Sequence, residues 1–285
     1  MASPAFRFGT VGSPASTPPR PGGSVGAIHH LASLGLQAFE LAWVQSVRVT
    51  EAKCAEIRQA GASADVGLSV HAPYFINLNA TADEWPKSRK RLMDAAHYGH
   101  LAGATEIVFH PGSYFARPPE EVLEVAVPRL HGCVDELRRA GNPVTLRPEV
   151  MGKSAMLGSL DDVIALSRRV EGVAPCLDFA HLHARAGDGT MNSREEWLAV
   201  LKRYRNGLGA ASLKRLHVHL SGIEYSPKGE RHHLMLADSD FDLQGLVRAF
   251  VEMKCGGRIV CESPVMDEDA LRIQKAWQRA SRKTP

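Results

Sequence analysis

Short apolar, β-rich runs alternate along this chain with longer stretches in which apolar residues recur at helical spacing. The runs fall at 5–9 (AFRFG), 37–41 (QAFEL), 67–71 (GLSVH), 105–110 (TEIVFH), 144–148 (VTLRP), 174–178 (APCLD), 214–219 (KRLHVH) and 258–262 (RIVCE). Runs of this kind suit the strands of a buried parallel sheet. Between them the pattern predicts helices at about 24–34, 50–60, 83–102, 119–139, 161–169, 194–205 and 242–253, with a last one at 267–282. Val122, Val125, Leu130, Val134 and Leu137 illustrate the spacing, with Glu and Arg filling the other face.

The pattern amounts to eight strand–helix units with no linker and no change of composition, so residues 1–285 read as one domain. Eight is also the number that closes a (β/α)₈ barrel. An open, doubly wound sheet is the main rival, and it would hold its ligand through glycine-rich turns. Here the first run leads into Gly9-Thr10-Val11-Gly12-Ser13-Pro14 and a proline-rich stretch to Gly23, with no helix opening directly behind G-x-G-x-x-G. The 11–23 segment is therefore expected to be a surface loop on the face where the strands end.

Composition changes this picture little. The 285 residues are 44% hydrophobic and 23% charged, the balance of a soluble globular domain. The start, MASPAFRFGT, has no leader-like apolar run, no stretch approaches a membrane span, and the cytoplasm is the expected location. Cys54, Cys133, Cys176, Cys255 and Cys261 form no C-x-x-C, which argues for reduced, buried thiols over disulfides or a thiolate zinc site. A net charge of +3 permits an anionic partner without demanding one. The basic cluster Lys87-Ser88-Arg89-Lys90-Arg91 reads first as a solvated helix face and second as a phosphate contact.

The candidate chemistry lies at the ends of the predicted strands. His71 closes the third run and His110 the fourth. Glu149 follows the fifth, Asp178 ends the sixth with His181 three residues on, His219 ends the seventh and Glu262 the eighth. A barrel gathers its strand ends onto one face, so residues far apart in sequence become one site. Neutral imidazole suits zinc-like ions, and carboxylates at the ends of apolar strands are costly to desolvate unless paired or metal-bound. An ion pair with Arg147 or Arg185 is the plain alternative for one of the acids. His217 shares a strand face with His219 and is expected below it. The loop Lys228-Gly229-Glu230-Arg231-His232-His233 adds a carboxylate and histidines able to chelate together. This set exceeds the needs of one metal and points to a multinuclear hydrolytic centre.

These residues resemble endonuclease IV, the metal-dependent apurinic/apyrimidinic (AP) endonucleases of the xylose isomerase-like barrel superfamily. The pieces that carry the likeness are HAPYFINL at 71–78, VFHPGS at 108–113, CLDFAHLHA at 176–184, HLSG at 219–222, GERHHL at 229–234 and CES at 261–263. The resemblance implies three metal ions, typically zinc, with manganese or iron as alternatives, and cleavage of the phosphodiester 5′ to an abasic site in double-stranded DNA. It assigns His71, His110 and Glu149 to a first ion. Glu149 would bridge to a second, held by Asp178, His219 and Glu262, and would orient the attacking water. His181, Glu230 and His232 would hold the third, with His233 as the alternative to His232. Tyr74 and Phe75 match side chains pushed into the DNA stack, and Arg48 would fill the abasic gap or contact phosphate. The chain departs from the family pattern at Glu230-x-His232 in place of Asp-x-His, and at HLSG in place of HLND. Val150-Met151 replaces Asn-Thr after the glutamate, and the early His-Val-Ser motif is absent. These changes imply a divergent branch. A monomer is the simplest expectation.

Two other readings stay open at this point. A sugar isomerase or epimerase of the same superfamily would need only Glu149, Asp178, His219 and Glu262 around one ion. A non-catalytic barrel would bind metal and damaged DNA without cutting.

Overall fold

A computed structural model describes residues 6–282; Ala5, where the first predicted run opens, lies outside the described residues. The strands are β1 (Phe6–Val11), β2 (Ala38–Ala42), β3 (Gly67–His71), β4 (Glu106–Phe109), β5 (Thr145–Pro148), β6 (Cys176–Asp178), β7 (Leu216–Leu220), β8 (Gly222–Ser226), β9 (Gly229–Leu234) and β10 (Gly257–Cys261). The helices are α1 (Gly23–Ser33), α2 (Glu51–Ser63), α3 (Trp85–Leu101), α4 (Pro119–Arg139), α5 (Leu160–Arg169), α6 (Phe179–Arg185), α7 (Arg194–Leu208), α8 (Leu243–Glu252) and α9 (Asp267–Ser281), with a 3₁₀ turn at Ala210–Lys214. The apolar runs all became barrel strands and the helical stretches all became helices, within a few residues of the predicted ends.

Eight parallel strands make one sheet in the order β5-β4-β3-β2-β1-β10-β7-β6. Its free edges meet between β5 and β6. There Leu146 N donates to Gly172 O, Ala174 N to Leu146 O and Val150 N to Cys176 O, each at 3.0 Å. This seam rolls the sheet into a TIM barrel. Tight contact between β1 and β2 needs Gly9, where an added Cβ would lie 1.6 Å from the Ala38 carbonyl oxygen.

Local chemistry sets the helix ends. Thr50 caps α2, Ser193 caps α7, and Ser159 with Asp162 forms a full capping box on α5. The outward strand faces pack against the helices. Phe6, for example, meets Phe250 of α8 and Trp277 of α9 at ring-centroid separations of 5.2 and 5.0 Å.

The barrel interior departs from the usual filling of branched aliphatics. Glu40, Ser69, Arg147, His217 and His219 are all buried. Side chains alternate along a strand with a period of two. Arg147 and Glu149, His217 and His219, Glu106 and His110, and Arg258 and Glu262 therefore share parity: the first of each pair lies deeper, the second at the mouth. A charged column runs beneath the predicted site. Ser69 Oγ donates to Glu40 at 2.7 Å, and His217 Nε2 and Nδ1 meet Glu40 and Glu106 at 2.9 and 2.8 Å. Arg258 Nε lies 2.8 Å from Glu106, which also pairs with Arg147.

Two elements were not expected. The stretch from Lys228 to His233, expected as loop, lies in the antiparallel hairpin β8–β9. Helix α6 follows β6 directly, every one of its residues before Arg185 being buried. The 11–23 segment is a turn-rich loop, as expected. Ser16 ties it down, donating its one hydroxyl hydrogen to Asp267 at 2.7 Å and accepting from His30 Nε2 at 2.9 Å.

Candidate metal centre

Glu149 stands at the middle of the barrel mouth, fully buried, just past the end of β5. Its Oε2 is 3.4 Å from His71 Nε2 and 3.4 Å from His110 Nε2. Its Oε1 is 3.3 Å from His181 Nδ1 and 3.3 Å from His219 Nδ1. Neither oxygen has a hydrogen-bond partner, and the same holds for both ring nitrogens of His219. Two ligand atoms about 2.0–2.1 Å from one tetrahedral ion lie roughly 3.3–3.4 Å apart. The spacings to His71, His110 and His219 match that separation and exceed those of good hydrogen bonds, whereas His181 Nδ1 is taken by the Val150 carbonyl at 2.9 Å, leaving its Nε2 to face an ion.

Asp178 reaches the cluster through its helix. Its Oδ1 caps α6 by accepting from His181 N at 2.7 Å, and its Oδ2 is left without a partner, 3.5 Å from His181 Nδ1. The cap fixes the carboxylate, and the first turn of α6 then carries His181 into the same pocket. From the next strands come Glu262, with Oε2 3.4 Å from His219 Nδ1, and Glu230 of β9, with Oε2 3.5 Å from His181 Nε2.

Of five donor-atom groups among the described residues compact enough to hold an ion, two, Cys176–His217–His219 and His71–His219–Glu262, overlap the rest at His219; the other three are His71–His110–Glu149, Glu149–Asp178–His219–Glu262 and Asp178–His181–His233. These three adjoin one another through Glu149 and Asp178. The first two of them match the sets expected from the sequence. In the third, the histidine beside His181 is the alternative, His233, and not His232. His232 points away, with Nε2 3.2 Å from Glu224 and its side chain 60% exposed. His233 turns inward instead, its Nε2 3.4 Å from His181 Nε2. The cause is a bulge: Tyr225 faces Glu230, Glu224 faces His232, and Arg231 is the extra residue between them. Past a bulge the alternation reverses, so Glu230 and His233 share a face where simple periodicity pairs Glu230 with His232.

The alternative of plain ion pairing for the acids is not met. Arg147 serves Glu106, and Arg185 donates to the carbonyls of Met151 and Lys153 at 2.8 and 2.7 Å. The ionisation of the site reflects its own members. Burial opposes the charge on Glu149, but His219 and His110 outweigh it and hold the carboxyl well below its usual range. Burial is likewise overcome at Glu262, where His219 and His233 bring it down to about 2. At Asp178 burial wins and pushes the carboxyl up to about 6. Burial also moves His110 down, while His181 and His219 are lifted against burial, chiefly by Asp178 and by the anions around His219. Carboxylates and imidazoles converging with unfilled lone pairs fit divalent cations on the chemistry of the donor set.

Behind the ligands stands Glu40, which the sequence reading missed. Its Oε1 lies 2.9 Å from His219 Nε2, close enough for an ion pair although not aligned as a hydrogen bond. The signal was available: an acid inside the apolar run AFELA, at a barrel-facing position.

The three residues expected to touch a polymer lie on the same face. Tyr74 stacks on His110 with rings 5.0 Å apart and 30° between planes, and stands edge-on to His71. Phe75 is exposed, with the Arg91 guanidinium 5.8 Å over its ring. Arg48 is exposed and makes no hydrogen bond or ion pair among the described residues. Of the basic cluster on α3, Lys87, Arg89 and Lys90 pair with Glu84, Glu136 and Asp94, so that stretch is mainly a solvated face.

Comparison with known proteins agrees with this geometry. Residues 28–282 match the family described as xylose isomerase-like TIM barrel. An uncharacterized protein of Methanocaldococcus jannaschii is 34% identical, over 95% of this chain and 96% of its own length. Endonuclease 4 of Thermus thermophilus is 30% identical, over 90% of this chain and 93% of its own. The crystal structure of endonuclease IV from Thermus thermophilus superposes with a TM-score of 0.72 at 27% identity, covering 96% of this chain and 99% of that one. A D-tagatose 3-epimerase-like protein has a TM-score of 0.73 at 15% identity over 98% and 100% of the two chains, a likeness of fold alone. The chain thus belongs to the xylose isomerase-like TIM-barrel family, as a divergent branch of its endonuclease IV proteins.

Proposed function

We propose that this protein is a metal-dependent AP endonuclease, hydrolysing the phosphodiester 5′ to abasic sites in double-stranded DNA. The observation that carries the reading is the set of three adjoining donor groups meeting at Glu149 and Asp178. A mononuclear isomerase would use Glu149, Asp178, His219 and Glu262 and leave His71, His110, His181 and His233 without work. Their convergence favours a polynuclear hydrolase. Zinc suits the mixed imidazole–carboxylate set, and manganese or iron would also be accepted.

Bound divalent cations would neutralise the phosphodiester and acidify the attacking water. Glu149, kept ionised by its histidines, presents oxygens that orient this water toward phosphorus. Attack forms the new P–O bond as the bond to the 3′-oxygen breaks, leaving a 3′-hydroxyl and a 5′-phosphate on the abasic side. Tyr74, stacked on His110, and the exposed Phe75 stand beside this pocket as wedges. An abasic nucleotide stacks poorly, so a wedge extrudes it at less cost than a paired one. Arg48 is assigned to the vacated gap or the phosphate next to it.

The test pairs Glu149→Gln with the wild type. The variant is expected to bind abasic duplex within a few-fold of wild type while incision falls by several orders of magnitude. Wild-type turnover in that variant would contradict the role given to Glu149.

A further inference from the structure

Tyr74, Phe75 and Phe115 are the exposed large hydrophobic side chains among the described residues, at 44%, 57% and 62% exposure. The first two sit on the loop after β3. Phe115 sits on the loop after β4, five residues beyond His110.

Phe115 is held out, not loosely placed. It has φ of +51° and its neighbour Ala116 +57°, two successive residues with side chains in the left-handed region that L-residues rarely adopt. The loop beneath is pinned at several points. Asn79 Nδ2 donates to Ser113 O at 3.1 Å and to Tyr114 O at 3.0 Å, and Arg117 donates to Asn79 Oδ1 at 2.9 Å. Leu78 N donates to Pro111 O at 2.8 Å, and Phe115 N to Ser113 Oγ at 3.2 Å. Tyr114 is buried and hydrogen-bonds Asp162. The β3 and β4 loops are thus one rigid platform in which Tyr114 anchors and Phe115 projects. Strain that the surroundings maintain, in order to expose an apolar ring to water, points to a ligand for that ring.

We infer that Phe115 is a further nucleobase-stacking residue, packing on a base of the duplex beside the lesion and acting with Tyr74 and Phe75. This rests on the AP endonuclease reading. The platform fits that occupant because a base offers a flat π-face to an aromatic ring and is flanked by phosphates. A cationic side chain lies over one of these rings, Arg91 over Phe75, while Arg117, two residues after Phe115 in sequence, is held by Asn79 and paired with Glu121.

Phe115→Ala, Phe115→Trp and the wild type are compared for binding to a duplex carrying a tetrahydrofuran abasic analogue flanked by 2-aminopurine. Phe115→Ala is expected to weaken binding about tenfold, the order of one lost stacking contact. Phe115→Trp is expected to restore affinity and to alter the 2-aminopurine fluorescence on binding. Metal content and thermal midpoint should be those of the wild type in both variants, which a packing role would not allow. Equal affinity of Phe115→Ala and wild type for the abasic duplex would overturn the inference while leaving the endonuclease reading intact. A fall in thermal midpoint, or conversion of a dimer to a monomer by Phe115→Ala, would instead make the ring a packing or self-association element. Wild-type protein that neither binds nor cuts the abasic duplex would remove both readings together.

Discussion

A single residue behind the ligands shows how the site is held. His219 presents Nδ1 to Glu149 and Glu262 and Nε2 to Glu40, so the two ring nitrogens face opposite ways. Carboxylates in the position of Glu40 fix the tautomer and orientation of a ligating histidine, and their loss typically costs 10–100-fold in metal affinity. Glu40→Gln is therefore expected to weaken metal binding by about tenfold or more, measured by competition with a chromophoric chelator on protein whose circular dichroism is unchanged. Unaltered affinity would leave Glu40 as no more than a member of the buried column. Glu40 escaped the sequence reading because an acid within an apolar run has many uses, and only closure of the barrel brings it against His219. His71, His110, Glu149, Asp178 and Glu262 were legible because each ends a strand, and a parallel barrel presents all such ends together.

At the scale of elements, the strands and long helices were legible from periodicity because burial on both sheet faces writes continuous apolar runs. The β8–β9 hairpin was not. Its strands, GIEYS and GERHHL, are mostly polar and only partly buried, so they carry no continuous apolar run. Helix α6 was missed for a related reason: it is short, and its cap is a predicted ligand, Asp178. The bulge at Arg231 has no compositional mark at all, yet it decides which histidine faces inward. His232→Ala is accordingly expected to keep the full metal content, whereas His233→Ala loses up to one ion per chain, read by elemental analysis after dialysis. The opposite ranking would show that the bulge does not set the ligand.

For the whole molecule, the charged column through the barrel links stability to pH. Burial opposes the charge on Glu106, but Arg147, Arg258 and His217 outweigh it and hold its carboxyl well below 4.5. A carboxyl with a depressed folded value stabilises the fold above its unfolded value, and that contribution is lost as pH falls below 4.5 toward the folded value. The thermal midpoint of the wild type should therefore drop steeply in that acid range. Glu106→Gln should flatten the drop and cost about 3–5 kcal/mol at neutral pH, because it leaves the buried Arg147 guanidinium without its carboxylate. An unchanged acid profile in the variant would remove Glu106 from the account. At the mouth of the same barrel, removal of metal by a chelator at neutral pH should lower the thermal midpoint. Ions present at 100 times their dissociation constant stabilise the folded state by about 2.7 kcal/mol per site.

The measurement that bears most directly on the central claim is incision of a duplex oligonucleotide containing one tetrahydrofuran abasic analogue. Zinc- or manganese-loaded protein is expected to make a single cut immediately 5′ to the analogue. The cut should be lost when metal is stripped, restored when it is returned, and absent from intact duplex. Several bound ions per chain with no cut would contradict the proposed activity and favour a binding-only barrel. One bound ion with no cut would favour the sugar isomerase.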